Sequence, residues 1–204
     1  MSFRNGPNYE GKGICVCVIL AAVAVSAQDT YFPKRALSDY DRVDNMKARW
    51  YTDQLKGLDE PSLLEEAKNP SLESYRFVWL RTFHHPIAVR LDIMADGSGK
   101  LTTKIASGTG GYEPGKLIEN TSRSMEREQI EKFLRQVKSV GFWDLPGYDK
   151  TMGCDGSEWI IEGVKDGKYH VAGRWMPSKG PVHVLGMTLA MTFANLRIPK
   201  DEFY

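Results

Sequence analysis

Apolar residues alternate with polar ones through the middle of the chain, and this period of two constrains the fold more than any other feature. The alternating positions are Tyr75, Phe77, Trp79 and Phe83 in a first run and Ile87, Val89, Leu91 and Ile93 in a second. Such alternation is typical of β-strands, whose successive side chains point to opposite faces. The turn residues Asp96-Gly97-Ser98-Gly99 then lead into a return strand over 101–105. The pattern predicts an antiparallel sheet built from β-hairpins.

Helical spacing of apolar residues flanks these strands. The predicted stripes are Val43, Met46, Trp50 and Leu55 in an N-terminal helix, Ile130, Phe133, Leu134 and Val137 in a second, and Val182, Leu185, Leu189, Phe193 and Leu196 in a closing helix that opens at Gly180-Pro181. Hairpins with interspersed helices predict an α+β fold. We expect a single domain over 38–204, with a helical N-terminal part at 38–70 and a hairpin and helix core at 75–199.

The first 27 residues have the three parts of a secretory signal peptide. Arg4 and Lys12 supply a positive start, residues 14–25 form an apolar run, and Val25-Ser26-Ala27 is a small-residue cleavage site. The run is shorter than the roughly 20 residues that a membrane span needs. We therefore expect a signal peptide over 1–27, a flexible leader over 28–37, and a periplasmic or secreted protein that leaves the membrane once the signal is cleaved.

Charge and cysteine content narrow the range of partners. The chain has 27 basic and 26 acidic residues, and the signal contains Arg4, Lys12 and Glu10, so 25 of each sign remain. A balanced charge argues against nucleic acid, which requires a basic face. Cys154 is the one cysteine left after cleavage, so no intramolecular disulfide is expected.

A second hairpin is expected over 158–175 with its turn at Asp166-Gly167, and its register decides which residues share a face. A two-residue loop would mix charged residues with core residues. A three-residue loop, with Gly167 left-handed, gathers the aromatic residues on one face and the charged ones on the other. We predict the second register, which sets Glu158 opposite Arg174 and Glu162 opposite His170.

That register produces a polar sheet face that we take as a candidate binding surface. Its predicted members, with one residue from the glycine-rich loop over 107–115, are Arg90, Tyr112, Glu158, Glu162, His170 and Arg174. Arg76 and Arg81 are expected on the same side. Export places such a surface in the cell envelope, and the neutral charge argues against nucleic acid. We therefore expect the partner to be a protein or a glycan of the envelope.

Motifs for catalysis, metals and cofactors are incomplete. Gly110 to Lys116 reads G-x-x-x-x-G-K, but Leu117 stands where a phosphate-binding loop needs Ser or Thr, and a strand is expected to follow. His84 and His85 are adjacent and would point to opposite faces of a strand, so they do not form a metal site. Cys154 is the candidate nucleophile, although our register separates it from His170 by most of a strand. We therefore predict no catalytic residues, no metal and no cofactor.

The order of elements resembles a family of exported bacterial α+β domains of unknown function. The resemblance rests on the Asp96-Gly97-Ser98-Gly99 hairpin, a helix ending in Gly141-Phe142-Trp143-Asp144-Leu145-Pro146, and the final hairpin and helix, over about 75–199. It implies a fold and an export route, and it implies no catalytic residues.

The leading hypothesis is a non-enzymatic exported binding or accessory domain. One alternative is an envelope hydrolase that uses Cys154 or Asp155 with a histidine. Another is an inhibitor or immunity protein directed against a secreted toxin.

Overall fold

The computed structural model describes residue 1, residues 30–151 and residues 153–204. Apart from Met1, the predicted signal peptide and its cleavage site lie outside the described residues. The described chain forms one six-stranded sheet in the order β4-β3-β2-β1-β5-β6, and every neighbouring pair is antiparallel. The strands are β1 (Glu73–Arg81), β2 (Ile87–Ile93), β3 (Gly99–Ala106), β4 (Leu117–Met125), β5 (Ser157–Lys165) and β6 (Lys168–Trp175).

Helices precede, interrupt and follow this sheet, which confirms the predicted α+β class. Their bounds are α1 (Asp41–Gly57), α2 (Leu63–Glu66), α3 (Arg127–Ser139) and α4 (Pro181–Met187), with a π-helical continuation at Thr188–Phe193 and 3₁₀ turns at Phe142–Asp144 and Lys200–Glu202. Gly141 ends the α3 region in a left-handed conformation, with φ of 64°. Pro181 occupies the first turn of α4, where a missing N–H costs nothing.

One face of the sheet carries the main hydrophobic core. Tyr75, Phe77 and Trp79 pack there against α3, α4 and the π-helical turn, and Leu189 is fully buried among them. Period-two alternation predicted this face for these three residues, but it wrongly included Phe83, which lies beyond the end of β1 and is 54% exposed. The closing helix is accordingly a central element, as its apolar stripe indicated.

The opposite face is also covered, and this overturns the expectation that the polar face of the sheet is open to a partner. Val78, Leu80 and Ile160 on this side pack beneath α1, against Tyr51 and Leu55. A third layer of helix therefore lies over the charged residues of β1 and β5. The sheet is the middle layer of three.

The N-terminal segment that was predicted as a flexible leader is packed into this third layer over its described part, residues 30–37. Phe32 and Leu37 are 3% and 2% exposed. Asp44 of α1 accepts hydrogen bonds from the backbone N–H groups of Arg35 and Leu37, both at 2.8 Å. The prediction is wrong for these residues because a buried carboxylate fixes them to the helix.

The second hairpin has the register that we rejected. Asp166 and Gly167 both have positive φ, 51° and 71°, and they form the two-residue loop that Asp-Gly favours. Glu162 therefore lies opposite Val171, and Gly163 lies opposite His170.

Glu158 likewise lies opposite Trp175, while Arg174 pairs with Trp159. The two glutamates are buried at 2% for Glu158 and 0% for Glu162. Our prediction failed because it assumed that this face meets water. Under α1 and α2 Glu158 instead pairs with the partly exposed Lys47, and Glu162 pairs with the fully buried Arg76.

Candidate functional site

A concave pocket opens at one end of the sheet, between α1, the loop over 107–115 and the segment that precedes β5. Its volume is about 420 Å³. Trp50, Tyr112 and Trp175 supply aromatic walls, and Val43 and Met46 add apolar surface. We call this the aromatic pocket. Its size and lining are typical of a small-ligand site.

Helix α1 presents its half-exposed face to this pocket. Val43, Met46 and Trp50 were predicted to be the helix's core stripe, but Met46 is 57% exposed and the stripe forms the pocket wall. The buried positions of α1 include Ala48 and Tyr51, which lie on a different face of the helix from Met46. Trp50 is held in place because its indole Nε1 donates to the carbonyl of Gly110 at 2.7 Å.

The glycine-rich loop is fixed to the scaffold by its backbone. Gly110 N donates to His84 O at 2.9 Å, and Gly111 N donates to Thr82 O at 3.2 Å. A Cβ on Gly110 would lie 2.6 Å from the backbone N of Arg81, so no other residue fits there. The glycines serve close backbone packing. The same loop enters strand β4 directly, with no helix of the kind that a phosphate-binding loop needs.

Gln54 of α1 adds a further anchor, because its Nε2 donates to the carbonyl of Tyr112 at 2.7 Å. The Tyr112 side chain itself remains 65% exposed beside Phe83. A fixed backbone with an exposed ring allows Tyr112 to contact a ligand at little cost in conformational entropy.

An ion pair forms part of the pocket lining, with Glu158 buried and Lys47 partly exposed. Lys47 Nζ is 2.6 Å from Glu158 Oε1, and the two side chains are 16% and 3% exposed. Glu158 Oε2 and the hydroxyl of Tyr51 have no hydrogen-bond partner among the described residues. The pKa of Tyr51 is raised well above its ordinary value, first by burial and then by the Glu158 carboxylate. The pair supplies a charged, polar anchor in a pocket whose other lining residues include Trp50, Tyr112 and Trp175.

Cys154, the candidate nucleophile, is an exposed free thiol at the rim. The adjacent Gly153 packs closely on Trp175, since a Cβ there would lie 2.2 Å from the indole Nε1. None of the four histidines lines the pocket. The described residues contain no group of three or more His, Cys, Asp or Glu side chains arranged to hold a metal ion.

Three of the residues that sequence reasoning selected line the aromatic pocket together: Tyr112, Glu158 and Cys154. It places Arg90 and Glu162 elsewhere, in a buried charge network on the α2 side. Arg90 Nε donates to Glu60 at 2.9 Å, and Glu162 accepts from Arg76 at 2.8 Å. These two residues hold the layers together and do not form a binding face.

Arg76 and Arg81 were expected on an open face, but both form ion pairs within the protein. Arg76 is fully buried between Glu60 and Glu162, and Arg81 Nη1 donates to Glu202 at 2.8 Å. Their guanidinium groups are therefore not presented to a partner.

His170 and Arg174 occupy the β6 side, away from the pocket lining. The His170 ring lies edge-on to Phe142 with centroids 5.0 Å apart, and its Nε2 has no partner in the described part of the chain. Burial is the main reason that the pKa of His170 is lowered from its ordinary value. Arg174 donates to the carbonyl of Pro146 at 3.0 Å and lies 3.6 Å from Asp149, so it fastens a loop.

Sequence reasoning missed Lys47, Trp50 and Trp175 as site residues. The i, i+3 and i+4 spacing of Val43, Met46, Lys47 and Trp50 was a usable signal, because it places one lysine within an apolar helical stripe. That signal is shared by core helices. Which face of α1 is open depends on the loop over 107–115.

Comparison with known proteins adds no assignment. No family model matches the chain, and no curated protein matches it. Within the described ranges, no helix has both the length and the apolar character needed to cross a membrane.

Proposed function

We propose that this protein is a non-enzymatic, exported binding domain that holds a glycan of the cell envelope in the aromatic pocket. The observation that carries the proposal is the combination of Trp50, Tyr112 and Trp175 with the Lys47–Glu158 ion pair. Export rests on the signal-like sequence of residues 1–27.

A sugar ring suits this combination of surfaces. Aromatic faces pack against the C–H face of a pyranose ring, while a fixed carboxylate and ammonium can hydrogen-bond its hydroxyl groups. Lys47 Nζ and Glu158 Oε1 already hold each other at 2.6 Å, so a ligand meets them with little reorganisation. A peptide partner with an aromatic side chain is the competing occupant.

Two pocket tryptophans make intrinsic fluorescence a direct readout of binding. Soluble peptidoglycan fragments and chito-oligosaccharides would be titrated into the protein, with an aromatic-rich peptide pool as the competing probe. We expect saturable quenching by a glycan and a Kd weakened several-fold, up to about tenfold, by Tyr112→Ala, since an aromatic contact contributes about 0.5–1.5 kcal/mol. Tyr40→Ala is the matched control, because Tyr40 is 76% exposed and is not among the residues that line the pocket.

Three results would separate the alternatives. Saturable binding of the peptide pool alone would replace the glycan by a protein partner. Glycan binding that Tyr112→Ala leaves unchanged would move the site away from the aromatic pocket. Cleavage of a bound fragment that Cys154→Ser abolishes would favour the hydrolase, whose supporting observation is the exposed Cys154 thiol at the rim.

A further inference from the structure

Strand β4 forms an open edge of the sheet. It is the terminal strand of the order, and seven consecutive residues, 118–124, are exposed on both faces. No described segment hydrogen-bonds to its outer side. By contrast the other edge strand, β6, is partly capped because Gly173 N donates to Gly147 O at 2.7 Å. An open strand of this length is a template for pairing with another chain.

The hydrogen bonds of the neighbouring strands determine which backbone groups of β4 face outward. Ala106 N donates to Pro86 O, so the even-numbered residues of β3 direct their backbone groups to β2. The odd-numbered residues of β3 then face β4, and Thr103 pairs with Thr121.

Because direction alternates along a strand, Thr121 is turned toward β3, whereas Asn120 and Ser122 present their N–H and C=O groups outward. A partner strand must therefore pair its own outward-facing residues with Asn120 and Ser122. This condition limits the registers that a second strand can adopt.

The sequence of β4 is complementary to itself in one antiparallel register. With Thr121 facing its own copy, Asn120 lies opposite Ser122, and both are outward-facing residues. Glu119 lies opposite Arg123 of the second copy, on both sides of the two-fold axis. A shift of two residues in either direction, which also satisfies the backbone condition, would instead set Glu119 against Thr121 or Met125.

We propose that two copies of this chain pair through β4 in this register, which joins their sheets into one continuous twelve-stranded sheet about a two-fold axis at Thr121. Charge complementarity selects a second copy as the occupant, since opposite charges directly across strands stabilise pairing. Glu119 makes no ion pair within the described part of its own chain. Arg123 is oriented by a hydrogen bond to the carbonyl of Phe193 and retains further donors.

Charge reversal tests both the dimer and its register. Sedimentation equilibrium of the full secreted protein should show a concentration-dependent dimer. Glu119→Arg places like charges across the axis twice and should weaken dimerisation by about tenfold or more. The double variant Glu119→Arg with Arg123→Glu restores the opposite charges and should restore the dimer. Circular dichroism would verify that each variant is folded.

A cysteine placed on the axis gives a second readout. Directly opposed residues of a non-hydrogen-bonded pair have Cα atoms about 4.5 Å apart, within the roughly 4.4–6.8 Å range of disulfides. Thr121→Cys in a Cys154→Ser background should therefore form a disulfide-linked dimer under mild oxidation. Ser122→Cys is the matched control, because Ser122 faces Asn120 and not itself.

A wild-type protein that stays monomeric at all concentrations, with no Thr121→Cys cross-link, would overturn the proposal. A dimer that Glu119→Arg does not weaken would overturn the register. Neither result bears on the aromatic pocket, so this inference and the proposed function fail separately.

Discussion

Arg76 is the residue whose replacement should damage the fold most through electrostatics. Its side chain is 0% exposed, its Nε donates to Glu162 Oε2 at 2.8 Å, and its Nη1 donates to Glu60 Oε2 at 3.1 Å. Arg76→Met keeps a similar apolar stem and removes the charge. Glu60 retains Arg90 and Lys104 as partners, but among the residues that the structure describes Glu162 retains only the Tyr169 hydroxyl, at 2.9 Å.

The expected loss follows from that imbalance. A buried carboxylate left without its cation costs about 3–5 kcal/mol, a large part of the ~5–15 kcal/mol that stabilises a typical domain. We expect Arg76→Met to lower the free energy of unfolding by that amount and Tm by roughly 10 °C. Urea denaturation followed by far-UV circular dichroism measures the loss.

A second variant separates charge from packing. Adding Glu162→Gln to Arg76→Met removes the unpaired charge and keeps the side-chain volume, so at least about 1 kcal/mol should return. A single variant within about 1 kcal/mol of wild type would refute the reasoning. So would a double variant no more stable than the single one.

Two further predictions concern His170 and the signal peptide. Burial lowers the folded pKa of His170 below its ordinary value of 6.5, so the unfolded chain binds the proton more readily. The stability that the neutral imidazole contributes should therefore be fully present above about pH 6.5 and should be lost as pH falls toward the folded pKa. Proton NMR titration should place the His170 midpoint below 6.5. A midpoint above that value would indicate a carboxylate beside the ring, as in the register that sets Glu162 opposite His170. Mass spectrometry of the secreted protein should find Gln28 as the first residue, and an intact Met1 on a membrane-bound product would exclude cleavage.

The sequence was sufficient for the strands and the closing helix because their patterns are local. Period-two alternation placed Phe77 and Trp79 on one buried face, and helical spacing placed Leu185 and Leu189 in the same core, where both are 0% exposed. These residues are buried whatever covers the opposite face. Their prediction therefore required no knowledge of tertiary partners.

The hairpin register failed because it depended on what lies above the sheet. We assumed that Glu158 and Glu162 required water, and the chosen register gave them exposed partners. The actual partners are Lys47 and Arg76, and Lys47 is separated from Glu158 by 111 positions. No local pattern reports such a contact, although Asp-Gly at the turn favoured the two-residue loop that forms.

The aromatic pocket was only partly foreseen for the same reason. Tyr112, Glu158 and Cys154 were selected singly, each for its own chemistry or position. Their proximity depends on the loop over 107–115 lying against the end of β1 and on Trp50, which bonds that loop. Sequence reasoning assigned Trp50 to the core because apolar residues that line a pocket and apolar residues that pack in a core have the same helical spacing.

Coverage of both sheet faces restricts where this protein can meet a partner. Helices α3 and α4 pack on one face of the central strands β1 and β5 and α1 packs on the other, so a ligand cannot lie flat on these strands. The ends of the strands and the two edges remain. The aromatic pocket uses an end, where β1 and β5 give way to loops, and β4 supplies the open edge. Since these lie on different elements, a dimer joined through β4 would carry two pockets, and a glycan long enough to reach both would bind with avidity rather than through any new contact.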